Sequence, residues 1–203
     1  CEYLEKHGFE VTYLSPEKDG SVSADAVKAA LREDTILVTL MMVNNETGGI
    51  TDIAAIAKML KAGCKVALGT DGVASNNNLN MLEEIRVFAL TQRVRADDPT
   101  VITPAEALHA ATRVGALSQS RADCGEIREG FKADLVLFNL DTPWCTPEHN
   151  MLNNLLWAAC GADIVMTVSD GRVVYRDGDW PTIDVEKAKA EAERVKNRIL
   201  SQM

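Results

Sequence analysis

The sequence predicts an α/β protein in which strands and helices alternate as they do in a parallel sheet. Three observations predict it. Val66-Ala67-Leu68 is a short apolar run that ends in Gly69-Thr70-Asp71-Gly72 and a Ser/Asn-rich turn, after which Leu79, Leu82, Ile85 and Leu90 begin a helical pattern. Thr35-Ile36-Leu37-Val38-Thr39-Leu40 is β-branched and reads as a buried strand. Residues 9–14 alternate, and a helical stretch separates them from the second run, which gives the β-α-β-α order of a parallel unit.

Taken in order, residues 1–8 look like the middle of a helix stopped by Gly8, so more chain is expected upstream. Ser21 or Ser23 caps a helix that runs through Leu31. The turn Asn44-Asn45-Glu46-Thr47-Gly48 leads into a helix starting at Thr51-Asp52-Ile53. Residues 77–93 form a helix, and Thr103-Pro104-Ala105-Glu106 starts another with Pro in its first turn. Residues 134–140 alternate as a strand, and residues 164–169 and 172–175 pair as a hairpin about Asp170-Gly171. Residues 184–200 close the chain as an amphipathic helix with Val185, Ala188, Ala192, Val195 and Ile199 on one side, a stripe that serves either a core or a partner.

Composition sets the outer bounds. A chain of 203 residues has room for one good core or two small ones. With 46% hydrophobic and 25% charged residues and no apolar run of membrane-spanning length, it reads as an ordinary soluble protein with no membrane partner. A net charge of -9 argues against nucleic acid, whose phosphates require clustered Lys and Arg. The five cysteines are scattered without a Cys-x-x-Cys pair and no signal peptide is evident, so reduced thiols and a cytoplasmic location are expected.

Asp71 is the residue best placed for chemistry, because the carboxyl end of a strand is where α/β folds keep their catalytic groups. Its local context also permits a plain turn role, since Asp-Gly is a common turn pair. Ser75, Asn76, Asn77 and Asn78 read from the residues as a loop and a helix cap.

The stretch Gly69-Thr70-Asp71-Gly72 through Asn76-Asn77-Asn78-Leu79-Asn80-Met81-Leu82-Glu83-Glu84-Ile85-Arg86 resembles the last barrel strand and following helix of the metal-dependent amidohydrolases. The branch it is most similar to deaminates methylthioadenosine, S-adenosylhomocysteine and related adenosine compounds. The resemblance continues through Thr103-Pro104-Ala105-Glu106-Ala107-Leu108, Gly125-Glu126-Ile127, Gly130-Phe131-Lys132-Ala133-Asp134-Leu135-Val136 and Asp170-Gly171-Arg172-Val173-Val174, roughly residues 60–203. It implies a partial parallel β/α barrel with the remnant of a β-sandwich, a divalent metal (zinc or iron), a small-molecule substrate, and Asp71 as metal ligand and proton shuttle. The alternative reading of Ser75, Asn76, Asn77 and Asn78, a polar pocket beside Asp71, is implied only by this resemblance. The family also takes metal from a His-x-His pair and two later histidines that precede this Asp, whereas only His7 precedes Asp71 here. His109 and His149 are expected to be structural.

The N-terminal part resembles another family. Glu10-Val11-Thr12-Tyr13-Leu14, Asp34-Thr35-Ile36-Leu37-Val38 and Val43-Asn44-Asn45-Glu46-Thr47-Gly48 are similar to an internal piece of the cysteine desulfurases, pyridoxal-phosphate enzymes of the class V aminotransferase type. That resemblance makes Asn45 the relic of a cofactor contact. The family's His-x-Asp-x-x-Gln and Ser-x-His-Lys segments do not occur downstream of Ile56, so no Schiff-base lysine is identified and pyridoxal phosphate is not expected. The chain is therefore expected to be a chimera. Residues 1–58 would be a desulfurase-like β-α-β-α fragment, 59–130 the last barrel strand and its helices, and 131–203 sandwich strands and C-terminal helices. The join falls within residues 56–63.

Two functions are carried forward: an amidohydrolase that deaminates adenosine-type substrates, with its metal site incomplete, and a catalytically silent hybrid that folds or assembles without turnover. Desulfurase chemistry ranks third. Unpaired sandwich edges predict self-association.

Overall fold

The computed structural model describes residues 2–53, 55–56, 66–73 and 75–202. The described residues form two compact units that divide between residues 119 and 120.

The first unit is helical. After the short α1 (Glu2–Glu5), the chain reverses at Gly8, whose φ of 86° suits a residue without a side chain. α2 (Ala24–Ala30) begins where Ser23 accepts a hydrogen bond from the Ala26 N–H, and it buries Val27. A further helical turn starts at Asp52, whose carboxylate accepts from the Ala55 N–H at 2.8 Å. The long α3 (Met81–Ala96) is capped by Asn80 and ends at Asp97 in the left-handed conformation.

α3 buries Ile85, Phe88, Ala89 and Gln92, a face spaced three and four residues apart. This differs from the expected stripe: Leu79 lies ahead of the helix, and it and Leu90 are exposed. The phase of the helix follows the surface it packs on, including α4 (Pro104–His109), rather than the largest aliphatic residues. Thr103 and Glu106 form a reciprocal capping box at the start of α4. The helix continues through a π-helical turn (Ala110–Val114) into α5 (Gly115–Ser118).

The expected parallel strands are not formed among the described residues. Residues 9–14, 35–40 and 66–70 carry no ladder, and Ile36 and Leu37 are 81% and 58% exposed rather than buried. A β-branched run records a preference for a pleated, half-buried surface, but a strand exists only when a second backbone completes its hydrogen bonds. Among the described residues, residues 66–70 are tied down by a helix carbonyl: the Leu68 N–H donates to the Ala110 oxygen at 3.4 Å. The described residues carry neither the parallel ladder of a barrel nor that of a pyridoxal-enzyme-like unit, and both remain expectations rather than findings. The proposed join at residues 56–63 lies almost entirely outside the described residues.

The second unit is built on a three-stranded antiparallel sheet in the order β1 (Leu135–Phe138), β2 (Ile164–Ser169), β3 (Arg172–Arg176). Leu135 pairs with Val168, and Ser169 pairs with Arg172. The β2–β3 hairpin turns at Asp170 and Gly171, both with positive φ (48° and 77°), as a type I′ turn requires. These strands lie where the alternation placed them. α6 (Met151–Trp157) buries Leu156, which with Cys124, Cys145, Ala159 and the Asp163 side chain supplies the buried residues of this unit. Asp163 is satisfied where it lies: its carboxylate accepts from the Trp144 indole N–H at 3.1 Å and the Cys160 N–H at 2.8 Å.

α7 (Val185–Leu200) starts at Asp184, which caps the Lys187 N–H, and it buries none of its residues. Its charges are paired along the helix, Glu186 with Lys189, Glu191 with Arg194 and Glu193 with Lys196. The apolar stripe therefore forms no core here, and Ala192, Val195, Ile199 and Leu200 line an open strip along the helix.

Candidate functional site

Asp71 stands on the loop that joins residues 66–70 to α3. Its φ is 60°, a left-handed conformation that Asp tolerates better than most residues because its short side chain satisfies a neighbouring backbone group. Here the Asp71 Oδ1 accepts from the Gly72 N–H at 2.7 Å, and the Thr70 hydroxyl donates to the Asp71 carbonyl at 3.1 Å. The side chain is exposed. One carboxylate oxygen is thus committed to the turn, and the other is available to a ligand.

Three asparagines, at alternate positions, secure this loop to the first turn of α3. Asn76 Nδ2 donates both to the Thr70 carbonyl and to Glu84 Oε1, each at 2.9 Å. Asn78 Nδ2 donates to Glu83 Oε2 at 3.1 Å, and the Asn80 side chain accepts from the Glu83 N–H at 3.4 Å. A tight turn completes the anchorage, with the Ser75 and Asn76 N–H groups both donating to the Gly72 carbonyl.

Of the residues the sequence singled out around Asp71, only Asn76 is half-buried; Ser75 and Asn77 are exposed. Sequence reading missed Glu83 and Glu84 as partners of this loop, and the signal that could have found them is the 76-78-80 asparagine spacing immediately before two glutamates. Asn45 is exposed. Its neighbour Asn44 shapes that turn instead, accepting from the Glu46 and Thr47 N–H groups at 3.0 Å and donating to the Gly20 carbonyl at 3.3 Å.

His109 is the last residue of α4 and is exposed, as is His149. No group of three or more His, Cys, Asp or Glu side chains able to hold a metal ion occurs among the described residues. A zinc site wants three or more protein donors, and Asp71 supplies one carboxylate. The described residues therefore do not fit a complete metal centre. No helix among the described residues is long and apolar enough to cross a membrane.

Comparison with known proteins gives this loop its context. The chain is 40% identical over 149 residues to a 5-methylthioadenosine/S-adenosylhomocysteine deaminase of Pelotomaculum thermopropionicum, covering 73% of this chain and 34% of that protein. It is 43% identical over 145 residues to a 5'-deoxyadenosine deaminase of Methanocaldococcus jannaschii, covering 70% and 34%. Among solved structures, it resembles an adenosine deaminase from Xanthomonas campestris with bound zinc, with a TM-score of 0.70 and 30% identity over 76% of this chain and 35% of that one. It also resembles a zinc-complexed atrazine chlorohydrolase from Arthrobacter aurescens, with a TM-score of 0.63 and 27% identity over 72% and 32%. The chain thus spans about a third of the length of the curated relatives it matches. The amidohydrolase family pattern matches residues 5–174. That span takes in the Asp71 loop, the helices that hold it and the three-stranded sheet up to the middle of β3, and the chain belongs to the amidohydrolase family.

Proposed function

We propose that this chain carries the aspartate loop of a hydrolase that deaminates adenosine-type substrates, and that it turns nothing over by itself. The observation that carries this reading is the Asp71 loop, an exposed carboxylate held in a left-handed turn by a hydrogen-bonded frame, in a chain about 40% identical to named deaminases. In the reaction, water replaces the exocyclic amine: a C–O bond forms, the C–N bond breaks and ammonia leaves. Asp71 is the proposed carboxylate of a divalent-metal site, zinc or iron, and the acceptor of the proton that water gives up. The metal's remaining donors are not among the described residues, so no step is assigned to the ion.

Two preparations test this. The chain alone should hold well under one zinc or iron per molecule and release no ammonia from methylthioadenosine. Residues 60–203 grafted in place of the matching third of the Pelotomaculum enzyme should restore ammonia release, and Asp71→Asn in the graft should abolish it. A silent graft that folds and binds metal would overturn the deaminase reading and favour the catalytically silent hybrid.

For residues 1–58, descent from a cysteine desulfurase-like enzyme stays a proposal supported by the motifs around residues 10–14, 34–38 and 43–48. Pyridoxal-phosphate chemistry is not proposed, because no Ser-x-His-Lys segment is present in the sequence. Self-association is proposed from the open apolar strip on α7.

A further inference from the structure

We propose that Asn76 is a positioning residue for Asp71, acting as a clamp whose single amide nitrogen joins the aspartate loop to the first turn of α3. The inference rests on the reading of Asp71 as the reactive carboxylate, but its geometry stands separately.

An asparagine amide carries two donor hydrogens on its nitrogen and acceptor capacity on its oxygen. Both contacts of Asn76 fall on the nitrogen, at 2.9 Å from the Thr70 carbonyl and 2.9 Å from Glu84 Oε1. A backbone carbonyl only accepts, and so does an ionised carboxylate, so the orientation of the amide is fixed chemically. Thr70 immediately precedes Asp71, whose left-handed φ of 60° is the conformation most easily lost once its neighbour is released. Glu84 lies in the first turn of α3, where its own N–H donates to the Asn80 carbonyl at 3.2 Å. The helix is thus the fixed end of the clamp, and Thr70–Asp71 is the presented end.

The charge on Glu84 makes one of the two bonds charge-assisted, and it also makes the arrangement selective. Aspartate at position 76 would bring two carboxylates together and could donate to neither partner. Glutamine at position 84 would keep an acceptor oxygen where the present one lies. Serine and threonine at 76 would be too short to span both partners. The amide of asparagine is therefore the group this junction requires.

The test is nuclear magnetic resonance on the chain as it stands, so it needs neither metal nor turnover. In the wild type, the side-chain amide protons of Asn76 should exchange with solvent about tenfold more slowly than those of exposed Asn77, an internal control of the same chemistry. Asn76→Asp and Glu84→Ala should move the Thr70 carbonyl carbon and the Asp71 α- and β-carbon resonances towards random-coil values. Glu84→Gln should leave both where they are. A thermal melt on each variant reports global stability, which a merely structural residue would lower without moving the Asp71 carbons selectively. Equal exchange at Asn76 and Asn77, or unmoved Asp71 resonances in a folded Asn76→Asp protein, would overturn the clamp. A silent deaminase graft would leave these resonances untouched, so the two readings fail separately.

Discussion

The Asp134 carboxylate accepts a hydrogen bond from the Asp170 backbone N–H at 2.7 Å, and so fixes the hairpin turn to the segment that leads into β1. The neighbouring Gly171 N–H donates to the Ala133 carbonyl at 3.0 Å, and Arg121 reaches the same carboxylate at 2.8 Å. The Asp170 N–H, aided by the Cys124 thiol and Arg121 and opposed by partial burial, holds the Asp134 carboxyl below the usual carboxylate range.

The pH dependence follows from that direction. A carboxyl whose folded value lies below its unfolded one contributes stability above the unfolded value, about 4, and loses it as pH falls through the folded value. Urea midpoints of the second unit should therefore drop more steeply on the acid side in wild type than in Asp134→Asn, which keeps an acceptor for Asp170 but carries no titrating group. Asp134→Ala should cost about 0.5–1.5 kcal/mol at neutral pH, the net worth of a hydrogen bond whose donor water can reach once the carboxylate is gone. A variant profile parallel to wild type from pH 6 to pH 3 would refute this.

At the head of α4, Thr103 and Glu106 satisfy each other's backbone donors: the Glu106 N–H donates to Thr103 Oγ1 at 3.3 Å and the Thr103 N–H donates to Glu106 Oε2 at 2.8 Å. Thr103→Ala should destabilise the first unit by about 0.5–2 kcal/mol, as loss of a helix cap does. The Glu106 carboxyl is held below its ordinary value by the Thr103 N–H and hydroxyl. Its contribution too is present above the unfolded value and fades as pH falls through the folded one, so the penalty of Glu106→Gln should shrink in acid. Amide exchange along residues 104–109 at two pH values is the measurement.

Devices of this local kind were legible in the sequence. The helix starts expected at Ser21 or Ser23, at Thr103 and at residue 184 fall on the caps Ser23, Thr103 and Asp184, because a side-chain oxygen followed by a helical run is a short-range signal. Asp170-Gly171 turns a hairpin because two adjacent residues with positive φ carry their own chemistry. Several features that depend on distant partners failed to show. Residues 35–40 have the composition of a buried strand, yet Ile36 is 81% exposed, since no pattern within six residues says whether a neighbouring backbone will be present. The π-helical turn at Ala110–Val114 likewise has no marker in Ala-Ala-Thr-Arg-Val. At the candidate site Asp71 was legible as a position, while the inward turn of Asn76 and the part played by Glu84 depend on contacts across six and eight residues.

Gln92 was missed for the same reason, and it makes a prediction of its own. Only 2% of it is exposed on the inner face of α3, and among the described residues neither its amide nitrogen nor its oxygen has a hydrogen-bond partner. An unmatched buried polar group carries its full desolvation cost, about 1–3 kcal/mol, which an apolar side chain of similar shape avoids. Gln92→Met should raise the urea midpoint of the first unit without changing the slope of the transition. A lower midpoint would mean that the amide is satisfied in solution by an ordered water, and a high-resolution crystal structure would then show it.

The last prediction concerns α7, a 16-residue helix that buries none of its residues. A helix of that length is marginal in water unless its apolar face is covered. Lateral Glu–Lys and Glu–Arg pairs support it by only a few tenths of a kcal/mol each, too little to replace packing. Ala192, Val195 and Ile199 repeat at three and four residues, the spacing with which one helix packs on another, and Ile199 is 50% exposed. If copies of the chain cover this strip for one another, sedimentation velocity should show a coefficient that rises with concentration, and far-ultraviolet helicity should rise with it. Ile199→Asp removes about 1.5–3 kcal/mol of apolar burial and places a charge in the seam, so association should weaken by tenfold or more. A wild-type protein that remains monomeric and fully helical at α7 across the concentration range would remove the case for self-association through this face.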